Sequence, residues 1–514
     1  MPSFIPSLLS TAAVCLAATF LFLRRSYDNS LPPGPIGLPF LGNVLDLTRD
    51  APWKTYKRWG EQYGSLFTFR IIGRAVLVIN SLQDCRELLE KRSHIYSDRP
   101  HIEMLSKMGW DFNLVFIPYH DKRFPKYRRA VVRGIGSASN PSTRPIVSER
   151  CNVLLLQLFE APSSFETHLR DYTGSVLLQR LFGFTDYRRH RSFIHNTVMP
   201  AVEGASGLSF FGAQILFAFP WLGNLPSWVP GIKFLKDARD QLLLVERIMQ
   251  EPVDEVKTQM QAQTSSSTAQ SWARDLLQSA ERGDDPNALS EREIREVTST
   301  AITGGIDTTT SALKTMILAM LTYPDVQKRA QEEIDAVTGY DRLPDFSDLS
   351  QLPYVIAMCK EVLRWSPPLP VASHNTSSAD QFQGHVIPKD TTVAVNLWAM
   401  SRDSTFFKDP EKFLPDRYLE ENEDLSLSWG LGRRSCPGRN LAESMLYLAA
   451  ARILAVYDIR KQRAPDGKEL VVNPEFVSQG ILLQPKSFRC SFVTRSKDAK
   501  ALVEKLIEAR GDVF

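Results

Sequence analysis

The feature that constrains this chain most is a long helix weakened at its own centre. Ser290 followed three positions later by Glu293 forms a capping box, in which hydroxyl and carboxylate satisfy orphan backbone donors at a helix start. From Ile294 to Leu321 apolar residues recur at spacings of three and four, and Pro324, which has no N–H to donate, stops the run after Tyr323. In the middle stands Gly304-Gly305-Ile306-Asp307-Thr308-Thr309-Thr310. Each glycine costs a helix about 1 kcal/mol relative to alanine, and the β-branched threonines add to that. Two readings follow. Either the missing side chains let a flat ligand approach the backbone, with the Asp307 carboxylate and Thr308 hydroxyl beside it, or the glycines mark a close helix crossing and Asp307 is solvated.

The rest of the chain is mainly helical in pattern, most clearly over Leu82–Glu90, Gln241–Gln261, Val326–Val337 and Pro353–Trp365. Strand-like stretches are few: Ser65–Asn80 suggests a hairpin turning at Gly73, and Thr391–Trp398 another strand. No internal repeat is present from Phe40 to Phe514, and the one biased tract, Gln261–Ser271, reads as a solvated connection. The expected fold class is mainly α with a small β-rich region. With 61 Lys+Arg against 58 Asp+Glu the formal charge is +3, which argues against a nucleic-acid partner held by a strong basic field. Hydrophobic residues make up 43% of the chain, enough for a large core and too many for a mostly disordered protein.

Phe4–Leu23 carries no charged side chain, and about 20 apolar residues suffice for a helix to cross a bilayer. Arg24 and Arg25 follow, whereas a cleaved signal peptide would carry its positive charge first. Residues 1–25 are therefore expected to be an uncleaved anchor that leaves the remainder cytosolic. In Leu31–Pro39, Pro32, Pro33, Pro35 and Pro39 enforce extended backbone while Gly34 and Gly37 permit sharp turns. Residues 26–39 read as a stiff hinge, in preference to a polyproline ligand, ahead of a domain over 40–514.

Six cysteines, Cys15, Cys85, Cys151, Cys359, Cys436 and Cys490, form no Cys-x-x-Cys pair, so neither a disulfide framework nor a zinc site is suggested. Cys436 differs from the others. Gly430, Gly432 and Gly438 allow left-handed backbone around it, Asn440–Met445 looks like the start of a helix, and Arg433, Arg434 and Arg439 are near in sequence. A thiol at a helix N-terminus has a lowered pKa, which makes it a soft ligand for iron or a nucleophile. A plain buried cysteine is the bland alternative, and these surroundings argue against it.

Trp429, Gly432, Arg434, Cys436 and Gly438 resemble the Phe-x-x-Gly-x-Arg-x-Cys-x-Gly signature of the cytochrome P-450 haem-thiolate monooxygenases. Gly304-Gly305-Ile306-Asp307-Thr308-Thr309 is similar to that family's oxygen-activation motif, Glu361-Val362-Leu363-Arg364 to its Glu-x-x-Arg helix, and Pro415-Asp416-Arg417 to the segment whose arginine completes a structural triad. Glu361 and Arg364 alone would be an ordinary surface pair, but all these landmarks stand in register. The resemblance runs from the hinge almost to the end. The anchor and hinge match microsomal members of fungal secondary-metabolism type.

The resemblance implies a single large, mainly helical domain after an N-terminal transmembrane helix, in the endoplasmic reticulum membrane with the catalytic domain cytosolic. It implies haem as cofactor, with Cys436 as axial thiolate and Asp307 and Thr308 as catalytic groups delivering protons during oxygen activation. Phe124, Arg128, His374, Trp429 and Arg434 would surround the haem, the cations pairing its propionates, although His374 alone would read as an edge-of-sheet residue. Two positions depart from the family pattern: Trp429 stands where Phe is usual, and Phe124 where Trp is usual, with Arg123 as the alternative neighbour there. No room remains for a fused flavin domain, so electrons are expected from a separate NADPH-cytochrome reductase, docking on a basic face drawn from Arg123, Lys126, Arg129, Arg133 and Arg439. The substrate is expected to be a lipophilic small molecule, of terpenoid or polyketide and aromatic type, enclosed by His101–Phe116, Ser209–Gly223, Leu369–Ser373 and Glu475–Leu482. Phe210–Trp221 could equally rest on the membrane. The competing readings are a haem isomerase or dehydratase that does not activate O2, against which the intact Asp307 and Thr308 weigh, and a non-catalytic haem carrier.

Overall fold

A computed structural model of the chain describes residues 30–39, 41–48, 51–136, 142–225, 229, 232–262, 270–283, 285, 287–420 and 427–508. Two compact units emerge. One comprises the described residues up to Pro100 with Val371–Asp403 and Leu431–Arg434, and the other His101–Pro370, Ser404–Gly430 and the described residues from Ser435 onward.

The first unit holds the main sheet. β1 (Leu66–Ile71) and β2 (Arg74–Ile79) form the hairpin read from the sequence, turning through Ile72 and Gly73 at φ of 47° and 78°. β3 (Ala372–Asn375), the small hairpin β4 (Asp380–Phe382) with β5 (His385–Ile387), and β6 (Thr392–Val395) follow. The sheet order is β1-β2-β6-β3, with β6 parallel to β2 and antiparallel to β3. α1 (Pro52–Tyr63) packs Tyr56 and Trp59 on Phe67 and Phe69 of β1. Leu82–Glu90 begins as helix over Leu82–Arg86 and widens to a π turn over Glu87–Lys91. The proline stretch lies along β1: Thr68 N donates to Pro33 O at 3.1 Å, and a Cβ on Gly34 would fall 1.8 Å from Thr68 O, so glycine is required there.

The second unit is helical: α2 (Glu103–Lys107), α3 (Arg123–Gly134), α4 (Thr143–Glu160), α5 (Phe165–Phe182), α6 (Met199–Ala218), α7 (Lys233–Ala262), α8 (Glu291–Thr322), α9 (Pro324–Thr338), α10 (Pro353–Trp365) and α11 (Arg439–Val456) are its main helices. β7 (Tyr457–Lys461) pairs with β10 (Cys490–Thr494), and β8 (Phe476–Gln479) with β9 (Leu482–Pro485), both antiparallel. α8 is the long helix expected from the sequence. Both halves of its capping box are made, and Pro324 ends it by opening α9. Most of α8 is buried, and α5, α7, α10, α11 and β9 pack around it. Pro252 inside α7 deprives the Ile248 carbonyl of its helical donor, and Ser299 Oγ of α8 donates to it instead at 3.3 Å. Of the tract Gln261–Ser271, residues 263–269 lie outside the described ones.

The expected anchor, Phe4–Leu23, lies outside the described residues, and among the described residues no helix is long and apolar enough to cross a membrane. This corrects the expectation of a transmembrane helix ahead of the domain, and with it the expectations of a membrane partner and of an endoplasmic reticulum membrane location. The longest described helix shows why none of them qualifies. α8 has 32 residues, a length that at about 1.5 Å each would span a bilayer, but Asp307, Lys314 and a charged first turn interrupt its apolar run. The fold is mainly α with minor β-sheet.

Candidate active site

α5 and α8 run antiparallel in a register set by four pairs. Leu177 faces Gly305, Thr173 Oγ1 bonds Thr310 Oγ1 at 2.9 Å, Arg170 Nε stands 3.8 Å from Asp307 Oδ1, and Glu166 Oε2 meets Lys314 Nζ at 2.8 Å. On α5 these positions are spaced four, three and four apart, one helical face. The two glycines have separate reasons. A Cβ on Gly305 would lie 2.8 Å from Leu177 Cδ1, so Gly305 serves the helix crossing, whereas a Cβ on Gly304 would meet no atom within 4 Å, leaving that backbone open to approach. Burial pushes the Asp307 carboxyl up to about 6; Arg170 pulls against that, Glu203 of α6 adds to it, and Lys314 opposes it. Thr308 Oγ1 donates to Gly304 O at 2.9 Å, so its hydroxyl is parked on its own helix.

The cysteine loop is closed by its backbone. Cys436 N donates to Trp429 O at 2.7 Å, and Gly430 and Gly432 take φ of 69° and 60°, in the left-handed region. Gly438 instead caps α11 at φ −93°. Arg128 of α3 holds the loop by donating to Ser435 O at 2.9 Å and to Ser435 Oγ at 3.0 Å, and beyond α3 a Cβ on Gly136 would lie 2.5 Å from Pro437 O. α11, which the loop leads into, packs on α8. Chain atoms crowd Cys436 on most sides, and yet it is exposed. Burial pushes its thiol up, against the downward pull of the Gly438 backbone N–H and the Arg128 and Arg439 charges. The helix start and the arginines act in the direction read from the sequence, but desolvation outweighs them. The Arg439 guanidinium stands 5.8 Å from the Trp429 ring centroid, and the buried Trp429 indole N–H has no hydrogen-bond partner among the described residues.

In the first unit a second group forms around His374 on β3. His374 Nδ1 bonds Tyr96 O at 2.9 Å, and burial, with the charges of Arg99 and Arg434 adding to it, holds its pKa well below the ordinary value. Arg434 Nε donates to Ser97 O at 2.8 Å, and Arg99 donates to Ser373 O. A Cβ on Gly432 would lie 1.9 Å from Leu89 O, so this glycine is fixed by contact as well as by φ. Arg99 was not singled out in the sequence, and nothing local marks it; only the sheet brings residue 99 beside 374 and 434.

Residues 32–492 match the family model described as cytochrome P-450. The chain belongs to the cytochrome P-450 family. It is similar to cytochrome P-450 monooxygenase claR of Ampulloclitocybe clavipes, 34% identical over 513 residues that cover 97% of this chain and 93% of the relative. A cytochrome P-450 monooxygenase of Armillaria gallica is 35% identical over 496 residues, 94% of this chain and 96% of the relative. Cytochrome P-450 monooxygenase 208 of Postia placenta is 34% identical over 515 residues, 98% of each. The protein is thus an oxidoreductase, a P-450 monooxygenase close to those of fungal secondary metabolism, and its family identity carries a haem ligated by a cysteine thiolate. The residues present fit that group: an accessible thiol inside a crowded loop, and glycine backbone on α8 that no side chain covers.

The remaining residues singled out in this P-450 fall into place unevenly. Glu361 and Arg364 of α10 bond at 2.7 and 2.8 Å, and Arg417 reaches Glu361 at 3.2 Å, all three buried. Phe124 is buried with its ring against Tyr119, and Arg123 is taken by Asp121 at 2.8 Å. Of the expected basic face, Lys126 pairs with Glu293 at 2.7 Å, Arg439 with Glu443 at 2.9 Å, and Arg129 bonds Asn287 at 3.4 Å, while Arg133 is exposed. Two expected substrate segments reach α6 in the second unit. α2, within His101–Phe116, packs on α6, and so does β8. Farther along that segment, Asn113 Nδ2 donates to Thr303 Oγ1 of α8 at 3.3 Å. Leu369–Ser373 is divided between the units after Pro370, and most side chains of Ser209–Gly223 lie outside the described residues.

Proposed function

We propose that Cys436, as a thiolate, would hold the haem of this monooxygenase and that Asp307 and Thr308 would handle protons for it. When bound, the haem would supply the oxygen-activating chemistry, helped by electron donation from the thiolate. The observation that carries this reading is that Cys436 is accessible inside a loop held by Arg128 and by the Cys436–Trp429 bond. Arg128 and Arg439 stabilise the charge of the thiolate, and Arg128 would hold a carboxylate of the cofactor; in the first unit, taken by itself, Arg434 and Arg99 are cations of the kind that suits a carboxylate. His374, already donating through Nδ1, would offer Nε2 to a carboxylate only when protonated, and such a partner would raise the pKa that burial now depresses. Phe124 and Trp429 would supply apolar wall near the cofactor.

A carboxyl titrating at about 6 can take a proton from water and give it up near neutral pH, which suits Asp307 to proton delivery. Thr308, once its hydroxyl turns from Gly304 O, would pass that proton onward. Electrons would come from a separate NADPH-cytochrome reductase, and the apolar side chains of the 101–116 segment, among them the buried Met104, Met108, Trp110 and Phe112, favour a lipophilic small molecule of fungal secondary metabolism. Cys436→Ala tests the assignment: haem content and the thiolate-type carbon monoxide spectrum should be lost together with monooxygenation. A variant that keeps both would overturn it.

A further inference from the structure

α5 is occupied on two opposite sides. Glu166, Arg170, Thr173 and Leu177 meet α8, while the side that carries Asp171 and Ser175, half a turn around the helix, lines a cavity of about 310 Å³. α4 and the short helix Tyr187–Phe193 supply its other walls. Glu160 and Asp186 stand exposed at its rim. Deeper in, Val153 and the buried Leu156 of α4 form an apolar wall beside one buried cation, Arg150.

The two buried charges on this wall are satisfied differently. Asp171 is fully taken: Oδ1 accepts from the Tyr187 hydroxyl at 3.0 Å and meets His195 Nε2 at 2.7 Å, and Oδ2 accepts from Arg191 Nε at 3.0 Å. Arg150 is not. Its Nε donates to Gln179 Oε1 at 2.7 Å and its Nη2 to Thr185 O at 2.7 Å, but Nη1 has no hydrogen-bond partner among the described residues. Both acceptors are neutral. Burial pulls the Arg150 pKa down, with Glu149 and Asp186 acting the other way, yet Glu149 comes no nearer than 4.0 Å. A guanidinium only 3% exposed therefore sits on a cavity wall with no carboxylate bonded to it, an arrangement that costs stability until an anion arrives.

We propose that this cavity binds a small monocarboxylate with an apolar body: the carboxylate takes Nη1 of Arg150, and the body lies against Val153 and Leu156. One negative charge matches the one cation left without a bonded anion, and a charge-assisted bond to guanidinium favours the acid over a neutral molecule of the same shape. Glu160 and Asp186 at the rim repel a second charge, which disfavours phosphate and dicarboxylates. Because α5 lies between this site and Asp307, the acid is bound apart from the molecule that is oxidised, and the proposal does not depend on the haem reading above.

The test is calorimetric titration of the haem-loaded protein with benzoate, its neutral isostere benzamide, and inorganic phosphate. Benzoate should bind one-to-one, benzamide on the order of ten-fold more weakly, and phosphate not at all. Hydrogen exchange should slow with benzoate over residues 150–160 and 185–193 and stay unchanged in the Cys436 loop. Arg150→Gln should weaken benzoate on the order of ten-fold and bring it level with benzamide, and Arg150→Lys should recover part of the difference. Arg150→Gln also gives up the bond to Thr185 O and so risks the fold; Val153→Phe disturbs neither Arg150 bond, fills the apolar wall, and should abolish benzoate binding with the haem spectrum unchanged. Absence of benzoate binding to the parent, equal affinity for benzamide, preference for phosphate, or protection that falls on α8 and the Cys436 loop would each overturn the site.

Discussion

Two sets of charged side chains in the helical unit are finished to different degrees. Around Glu361 almost every bond is made: Arg364 donates to both of its oxygens and to the carbonyls of Pro410 and Lys412, Leu414 N adds a bond at 2.8 Å, and Arg417 closes the group at 3.2 Å. Around Asp307 the geometry stops short. Arg170 stands 3.8 Å away, and its buried Nε has no hydrogen-bond partner among the described residues. A buried network with nearly all its bonds made, in which Arg417 Nη2 lacks a hydrogen-bond partner among the described residues, cannot change charge without stranding its members, so it serves as scaffold. A carboxyl left incompletely bonded can change protonation at small cost, and that is the property proton delivery needs.

The largest expected effect lies on the scaffold side. Glu361→Ala leaves Arg364 and Arg417 as buried cations without their shared carboxylate, and should cost about 3–5 kcal/mol in denaturant unfolding of the holoprotein. A loss near zero would dissolve the contrast. Asp307→Asn should do the opposite at alkaline pH. The folded Asp307 pKa is raised from 3.8 to about 6, so the parent protein is relatively more stable when this group is protonated and loses that stability as pH rises between those values. The Asn variant lacks this loss, and by pH 8 it should unfold later than the parent by on the order of 2 kcal/mol, with no difference near pH 3.8. Parallel stability curves for the two proteins across that range would show Asp307 to be as well satisfied as Glu361.

The same contrast explains what could be read before the fold was seen. The capping box, the Pro324 stop, the hairpin at Gly73 and the helix Pro353–Trp365 are local devices, and each is found within a residue or two of its expected place. The Glu361, Arg364 and Arg417 group was legible only through family resemblance, because residues 53 positions apart share no local signal. What could not be read depends on which surfaces meet. Arg170 is one arginine among many until the Thr173–Thr310 and Glu166–Lys314 pairs bring it to Asp307. Gly304 and Gly305 look alike in sequence, and only Leu177 distinguishes them. The Cys436 pKa was misread for a similar reason: helix start and arginines are visible in sequence, whereas the desolvation that outweighs them is a property of the packed loop.

The smallest effect sharpens the comparison most. Arg170 is the nearest cation acting on Asp307, and it pulls the carboxyl pKa down against burial. Arg170→Gln removes that pull and should move the Asp307 titration above about 6, carrying the acid limb of coupled product formation to higher pH, while Arg170→Lys keeps a positive charge and should restore most of the parent profile. Its cost in global stability should be under about 1 kcal/mol, because the Arg170 side chain is partly exposed and the pair is neither short nor hydrogen-bonded. A structural arginine would show the reverse, with lowered unfolding midpoint and an unmoved pH profile. The product-to-NADPH ratio measured from pH 5 to 8 beside an unfolding curve therefore separates the two roles, and an Arg170→Gln profile superimposed on the parent's would place Asp307 among the scaffold charges.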